Sequence, residues 1–234
     1  MSFLNAAELA QTAAVAWLQE IEISDRSGKP YCVALSGGRI AHDFFSAIAQ
    51  AARHRPSVFR GAHFFWADER CVPPSDPESN YRIAFETLFE PLKISESHIH
   101  RLHGEQPPPI AAASATQELL QFAATTQNGL PVLDMIFLGL GEDGHIASLF
   151  PGETAPSVSL PVYRAVANSP KPPPNRLTLD YQTISAARKV WMLASGNGKE
   201  KALRESLAPL GATPFARALH CRSDTRIWTD IAVN

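Results

Sequence analysis

Residues 134–152 read Asp-Met-Ile-Phe-Leu-Gly-Leu-Gly-Glu-Asp-Gly-His-Ile-Ala-Ser-Leu-Phe-Pro-Gly. An apolar stretch runs into a glycine-rich turn that presents Asp143 and His145 where a helix could start. Glycines let a backbone approach a ligand closely, and imidazole is the side chain that exchanges protons near neutral pH. A neutral His145 can take a proton from water and return it to a leaving oxygen, acting first as general base and then as general acid. The alternative is a helix-start histidine bonded to the backbone. Gly139, Gly141 and Gly144 around it, with Asp143 two residues away, favour catalysis. The other seven histidines, at positions 42, 54, 63, 98, 100, 103 and 220, have no comparable setting. His98, His100 and His103 stand close together, but no cysteine or carboxylate at ligand spacing accompanies them, so a surface loop is expected there and no metal site.

Three further segments carry chemistry. Ser36-Gly37-Gly38 lies between a strand-like and a helix-like stretch. Such a turn either cradles an anion with free N–H groups at a helix start or is a plain tight connection. It lacks the third glycine of a dinucleotide fingerprint and the lysine of a P-loop. Asp68-Glu69-Arg70 follows an aromatic strand. There Arg70 can grip a phosphate with its planar fork of donors, and Asp68 can orient that arginine or a substrate hydroxyl. Gly196-Asn197-Gly198-Lys199 opens another helix; Lys199 adds positive charge to a phosphate site or is a solvated helix residue, and Arg176 is a similar case.

The elements that position these segments alternate between strand and helix, which predicts an α/β fold with a mostly parallel sheet. Strands are expected at 31–35, 63–67, 135–138, 162–166, 177–179, 190–194 and 226–229. Helices are expected from an Asn5–Glu8 capping box to Gln19, and at 42–54, 80–89, 111–127, 198–207 and 214–219. The prolines at 107–109 and 172–174 read as stiff extended loops. A single domain spanning 1–234 is expected, with a possible small extra lobe at 150–180. In an open parallel sheet ligands bind at the carboxyl ends of strands, and the loops 36–41, 68–80 and 139–148 would meet at that edge.

Composition narrows the function classes. The chain of 234 residues is 45% hydrophobic and carries a net charge of −2, so no basic surplus points to nucleic acid. No apolar run reaches the roughly 18 residues of a membrane span, and the N-terminus lacks the pattern of a secretory signal. Cys32, Cys71 and Cys221 are odd in number and widely spaced, and read as free thiols in a reducing cytoplasm. No interface stripe stands out; a monomer or small homo-oligomer is expected.

The segments Asp68-Glu69-Arg70-Cys71-Val72-Pro73 with Ser79-Asn80, and Gly139-Leu140-Gly141-Glu142-Asp143-Gly144-His145-Ile146-Ala147-Ser148-Leu149-Phe150-Pro151-Gly152, together resemble the 6-phosphogluconolactonases of the amino-sugar-phosphate isomerase and lactonase superfamily. Pro172-Pro173-Pro174-Asn175-Arg176-Leu177-Thr178-Leu179 and Gly196-Asn197-Gly198-Lys199 fall in the expected order. The resemblance implies a Rossmann-like open sheet flanked by helices. It also implies hydrolysis of 6-phospho-D-glucono-1,5-lactone to 6-phospho-D-gluconate in the oxidative pentose phosphate pathway, with no redox cofactor and no required metal. By position it makes His145 the base, with Asp143 beside it, Arg70 a phosphate ligand, and Ser36, Gly37 and Gly38 part of the phosphate cradle. Asp68 and Lys199 lie nearby.

One departure stands out: where the family continues the first glycine turn with a Ser or Thr pair and proline, this chain has Arg39-Ile40-Ala41. Arg39 either replaces the lost hydroxyls with a charge-assisted contact to phosphate or points away. Two other functions occur among related proteins. Deaminases of the superfamily follow the histidine with Phe-Asn-Glu-Pro, which this chain lacks. Non-catalytic phosphosugar sensors carry a DNA-binding segment ahead of the sugar domain.

Overall fold

The structure, a computed structural model, describes residues 1–24, 28–153 and 162–232. In chain order the elements are α1 (Ala6–Ser24), β1 (Tyr31–Leu35), α2 (Arg39–Ala52), β2 (Ala62–Trp66), β3 (Asp68–Arg70), α3 (Asn80–Ala84), α4 (Pro108–Phe122), β4 (Ala124–Thr125), β5 (Pro131–Val132), β6 (Met135–Gly139), β7 (Tyr163–Val166), β8 (Arg176–Leu179), α5 (Tyr181–Ala186), β9 (Lys189–Ala194), α6 (Glu200–Leu207), α7 (Pro214–His220) and β10 (Thr225–Thr229). β1 is buried at every position, and β6 and β9 at all but one. Strands that are apolar on both faces belong inside a parallel sheet covered by helices. They form the centre of a five-stranded sheet in the order β10-β9-β6-β1-β2, every pair parallel, with the half-exposed β10 at one edge.

The strand order reverses between β1 and β6, since the chain moves outward to β2 on one side and to β9 and β10 on the other. Such a switch point opens a crevice at the carboxyl ends of the strands. β1 delivers Ser36 there, β2 delivers Asp68 and β6 delivers Gly139. The expected convergence of three loops at one edge is therefore observed, and the loop after β9 adds Lys199.

Under the sheet, Trp17 of α1 packs against Phe44 of α2, Phe64 of β2 and Phe137 of β6, with ring centroids 6.2, 6.4 and 5.0 Å away. The contacts with Phe64 and Phe137 are edge-on, and such pairs add about 0.5–1.5 kcal/mol each beyond their buried area. α1 is started by Asn5, whose Oδ1 accepts from Glu8 N at 2.9 Å, while Glu8 Oε2 reaches back to Leu4 N at 2.8 Å.

A second, antiparallel sheet of three strands, β3-β8-β7, stands beside the first. It corresponds to the extra lobe expected at 150–180 but takes one strand from residues 68–70; residues 154–161 lie outside the described ones. Tyr163 Oη donates to Trp66 O at 2.7 Å and Leu179 N to Ala67 O at 2.8 Å, which ties the two sheets together.

Three local expectations are corrected. Residues 108–109 are not extended loop: Pro108 and Pro109 open α4, because a proline in the first helical turn has no N–H to lose. The helix expected to 127 stops at Phe122, and Ala124–Thr125 pairs with Pro131–Val132 across a turn in which Gly129 takes φ +78°. No helix starts at His145; residues 142–149 fold as two tight turns joined by an Ile146–Leu149 bridge.

Candidate active site

The switch-point cleft is lined by Ser36, Gly37, Gly38, Arg39, Asp68, Arg70, Asn80, Gly139, Gly141, His145, Ala147, Arg176 and Lys199. Two glycines are there for space. A Cβ on Gly141 would stand 1.9 Å from His145 Nδ1, and one on Gly37 would stand 1.8 Å from Asn80 Oδ1. Gly38 needs its freedom for conformation: φ +99° turns the chain into α2 and leaves the first N–H groups of that helix facing the cleft edge. Ser36 Oγ donates to Phe137 O at 2.8 Å, fastening the end of β1 to β6.

His145 is held from two sides. Its Nδ1 lies 2.5 Å from Asp143 Oδ1, and its ring packs at a tilt against Phe150 with centroids 4.7 Å apart. Burial lowers the imidazole pKa below the ordinary value, and Asp143 opposes that shift without cancelling it. Burial raises the Asp143 carboxyl, but hydrogen bonding and charge from His145, with Lys171 at 4.0 Å, outweigh it and leave the group below its ordinary value. An ionised carboxylate only accepts, so the proton sits on Nδ1 and the unprotonated Nε2 is the free base. The loop beyond is strained at one point: Ala147 adopts φ +47°, a region that residues with a Cβ avoid. Its neighbour Ser148 is anchored there, its N–H donating to Thr178 Oγ1 at 3.2 Å.

The second carboxylate is Asp68. Its Oδ2 accepts from Ser148 Oγ at 2.7 Å, and Asn80 Nδ2 lies 3.4 Å from Oδ1 while donating to the Asp68 carbonyl at 2.9 Å. Glu69 points the other way, into the protein. It accepts from Arg70 N, Ser79 Oγ, Asn80 N and Tyr81 N at 2.7–3.0 Å, and so caps the start of α3. Burial drives its pKa to about 7 against those donors.

Four cations face the cleft. Arg70 Nη1 donates to Glu78 O at 2.6 Å, and its buried Nε has no partner among the described residues. Arg176 is buried and donates to the carbonyls of Pro172 and Pro173 at 2.9 Å; burial, then the charge of Arg70, lowers its pKa. Lys199 is buried too, and burial followed by Arg39 lowers its pKa. Arg39 is exposed at the rim. Like charges brought together and partly desolvated, with donors left over, form a site for an anion with several oxygens.

Of the residues singled out in the sequence, Ser36, Gly37, Gly38, Arg39, Asp68, Arg70, His145 and Lys199 all line this cleft, and Asp143 supports it from behind His145. Asp68 does not orient Arg70, as one reading had it; Glu78 does. Asn80 and Ser148 appeared in the sequence only as motif members, and Lys171 not at all; a short polar pair behind a carboxylate has no distinctive spacing. His100 is no surface-loop residue. It is buried, with Nε2 2.9 Å from His63 Nδ1 and Nδ1 2.7 Å from Glu118 Oε1. A larger cavity of about 670 Å³ at the opposite sheet edge holds Asp134, but that carboxylate is committed to Cys32 N at 2.9 Å and Arg188 Nε at 3.1 Å.

Comparison with known proteins places the chain in a family. A family model described as glucosamine-6-phosphate isomerases/6-phosphogluconolactonase matches residues 4–228. The chain is 35% identical to the 6-phosphogluconolactonase of Aggregatibacter actinomycetemcomitans over 221 residues, covering 94% of this chain and 92% of that protein. It is 35% identical to the Haemophilus influenzae 6-phosphogluconolactonase over 201 residues, covering 86% and 84%. The solved structure of 6-phosphogluconolactonase from Trypanosoma cruzi superposes with a TM-score of 0.86 at 27% identity, covering 98% of this chain and 92% of that one. The chain belongs to the glucosamine-6-phosphate isomerase/6-phosphogluconolactonase family.

Proposed function

We propose that the cleft hydrolyses 6-phospho-D-glucono-1,5-lactone to 6-phospho-D-gluconate, the lactone-opening step of the oxidative pentose phosphate pathway, in the cytoplasm and within one domain. The observation that carries this reading is His145, with Nδ1 tied to Asp143 and its other nitrogen free, in a cleft that also presents Arg70, Arg176 and Lys199. His145 Nε2 takes a proton from a water whose oxygen bonds to C1 of the lactone. The tetrahedral intermediate then collapses, the bond from C1 to the ring oxygen breaks, and His145 returns the proton to that oxygen. Water and lactone account for every atom of the product, so no electron acceptor enters. The cations and the Ser36-Gly37-Gly38 turn hold the phosphate, which fixes the lactone relative to the histidine. Positioned acid–base catalysis contributes roughly 10²–10⁴-fold.

The sequence after the histidine supports the lactonase over the deaminase branch. Residue 148 is a serine that anchors Asp68, and residue 150 is a phenylalanine packed against the imidazole, so no carboxylate follows His145 there. The test is turnover of freshly generated lactone, read by a coupled 6-phosphogluconate dehydrogenase with spontaneous hydrolysis subtracted. Turnover that disappears in His145→Ala supports the reading. Phosphosugar binding without turnover points to a sensor.

A further inference from the structure

The loop that carries the catalytic histidine also reaches the phosphate turn. Arg39, the first residue of α2, faces Glu142 across the cleft rim, Nη2 to Oε1 3.6 Å, with the two side chains 74% and 60% exposed. Glu142 stands beside the other rim loop as well: a Cβ on Gly198 would lie 3.6 Å from its carboxyl carbon, and its charge supports that of Lys199. One carboxylate therefore sits between two of the cations that line the cleft. Lys199 is more than nine-tenths buried and lines the cleft, and its ammonium makes no hydrogen bond or ion pair among the described residues. Together with Arg70 Nε, which has no partner among the described residues, it supplies the cleft with donors suited to an anion.

Resting on the lactonase reading, which puts a phosphate there, we propose that Glu142 is a specificity-determining residue acting through Arg39. In the free protein it parks the guanidinium at the rim, and it gives it up to the phosphoryl group of the ligand. An exposed pair at this distance is weak. A guanidinium on a phosphate dianion forms two parallel charge-assisted hydrogen bonds, so the exchange runs toward phosphate. A sugar without the phosphate has nothing to displace the carboxylate with, and meets a rim already neutralised. Glu142 thus acts as a placeholder that only a stronger anion removes. The arginine in place of the family's short hydroxyls gives this chain a mobile part in its phosphate site.

A double-mutant cycle read by calorimetric titration of inorganic phosphate tests this without relying on turnover. Arg39→Ala weakens phosphate binding about tenfold, the scale of a lost charge-assisted hydrogen bond. Glu142→Gln tightens it about 2–5-fold, the worth of an exposed pair no longer broken. In the Arg39→Ala background the Glu142→Gln gain shrinks, because the residue it acted through is gone. The proposal is overturned by a Glu142→Gln gain of equal size in both backgrounds, by unchanged affinity in Arg39→Ala, or by no saturable phosphate binding in the unaltered protein. Failure of the lactonase reading shows differently, as absent lactone turnover with these titrations unaffected.

Discussion

Asp143 Oδ1 and His145 Nδ1 lie 2.5 Å apart within one tight turn, so a general base and the group that orients it come from a three-residue segment. The carboxylate fixes the tautomer and stabilises the imidazolium that forms during water attack. His145→Gln is expected to lower kcat by about 10²–10⁴-fold. Asp143→Asn is expected to lose activity on a similar scale, because an amide can accept from one tautomer and donate to the other. The pH profile adds a second reading. Since burial holds the histidine below its ordinary value of 6.5, the acidic limb of kcat/KM should fall below that point and activity should be complete at pH 7. Removing the Asp143 charge should move the limb lower still. An acidic limb above 6.5 would contradict the environment described for His145.

Gly141 is required by the imidazole and by the carboxylate that orients it. A Cβ there would meet His145 Nδ1 at 1.9 Å and Asp143 Oδ1 at 2.7 Å, and Gly141 lies in the cleft wall, outside the strands of the sheet. Gly141→Ala should displace the ring by more than a bond length while leaving the sheet intact. Misplacement of a catalytic group by about 1 Å costs roughly 10²-fold in rate. The expected result is a kcat loss of that order with a melting temperature close to that of the unaltered protein. Full activity would mean that the histidine works in a different rotamer.

The cations lining the cleft predict a split between binding and chemistry. Arg70 and Lys199 both line the cleft, yet the phosphate they would hold is remote from the bond that breaks. Arg70→Ala or Lys199→Ala should raise KM for the phosphorylated lactone by about 10–100-fold, the range of a hydrogen bond to a charged group. For glucono-1,5-lactone without its phosphate, neither substitution should change kcat/KM appreciably. A loss of equal size on both substrates would place these residues in the chemical step instead.

Much of this arrangement is legible in the chain itself, for identifiable reasons. Tyr31–Leu35 and Met135–Gly139 are short apolar runs closed by glycine turns, and such runs have few alternatives to a buried parallel strand. The Asp143–His145 pair is local, so its spacing survives folding unchanged. Asp68-Glu69-Arg70 reads as a charged strand end; it becomes β3 only because Arg176–Leu179 arrives from more than a hundred residues away to pair with it. Glu69 looks like a site residue by position, and the fold spends it on the start of α3. Ser148 and Asp68 meet across 80 residues of chain, and Lys171 approaches Asp143 from the proline loop; neither relation leaves a periodic trace. Cys71, adjacent to Arg70, has its thiol pushed up to about 11 by burial and then by Glu69, which argues against a reactive thiol beside the cleft.

The stacked histidine group around buried His100 is the clearest case of chemistry assembled by tertiary structure, and it predicts how stability responds to acid. His63 of β2 stacks on His98 at 4.7 Å and on Phe122 of α4 at 4.6 Å, and bonds His100, which in turn bonds Glu118 of α4. Burial, then the charges of His100 and His98, hold the pKa of His63 at about 4, against 6.5 when the chain is unfolded. Between those values the unfolded state binds more protons than the folded one, so stability falls as pH drops from about 6.5 to about 4 and levels off below that. His63→Phe keeps an aromatic ring in the stack and removes the titrating group, at the cost of leaving His100 Nε2 without its partner. Its melting temperature should start lower at pH 7 but fall less steeply through that window than that of the unaltered protein. Because His145 titrates with the same sign in both proteins, the difference between the two curves reports on His63 together with its bonded partner His100. Parallel curves would mean that His63 carries no part of the acid sensitivity.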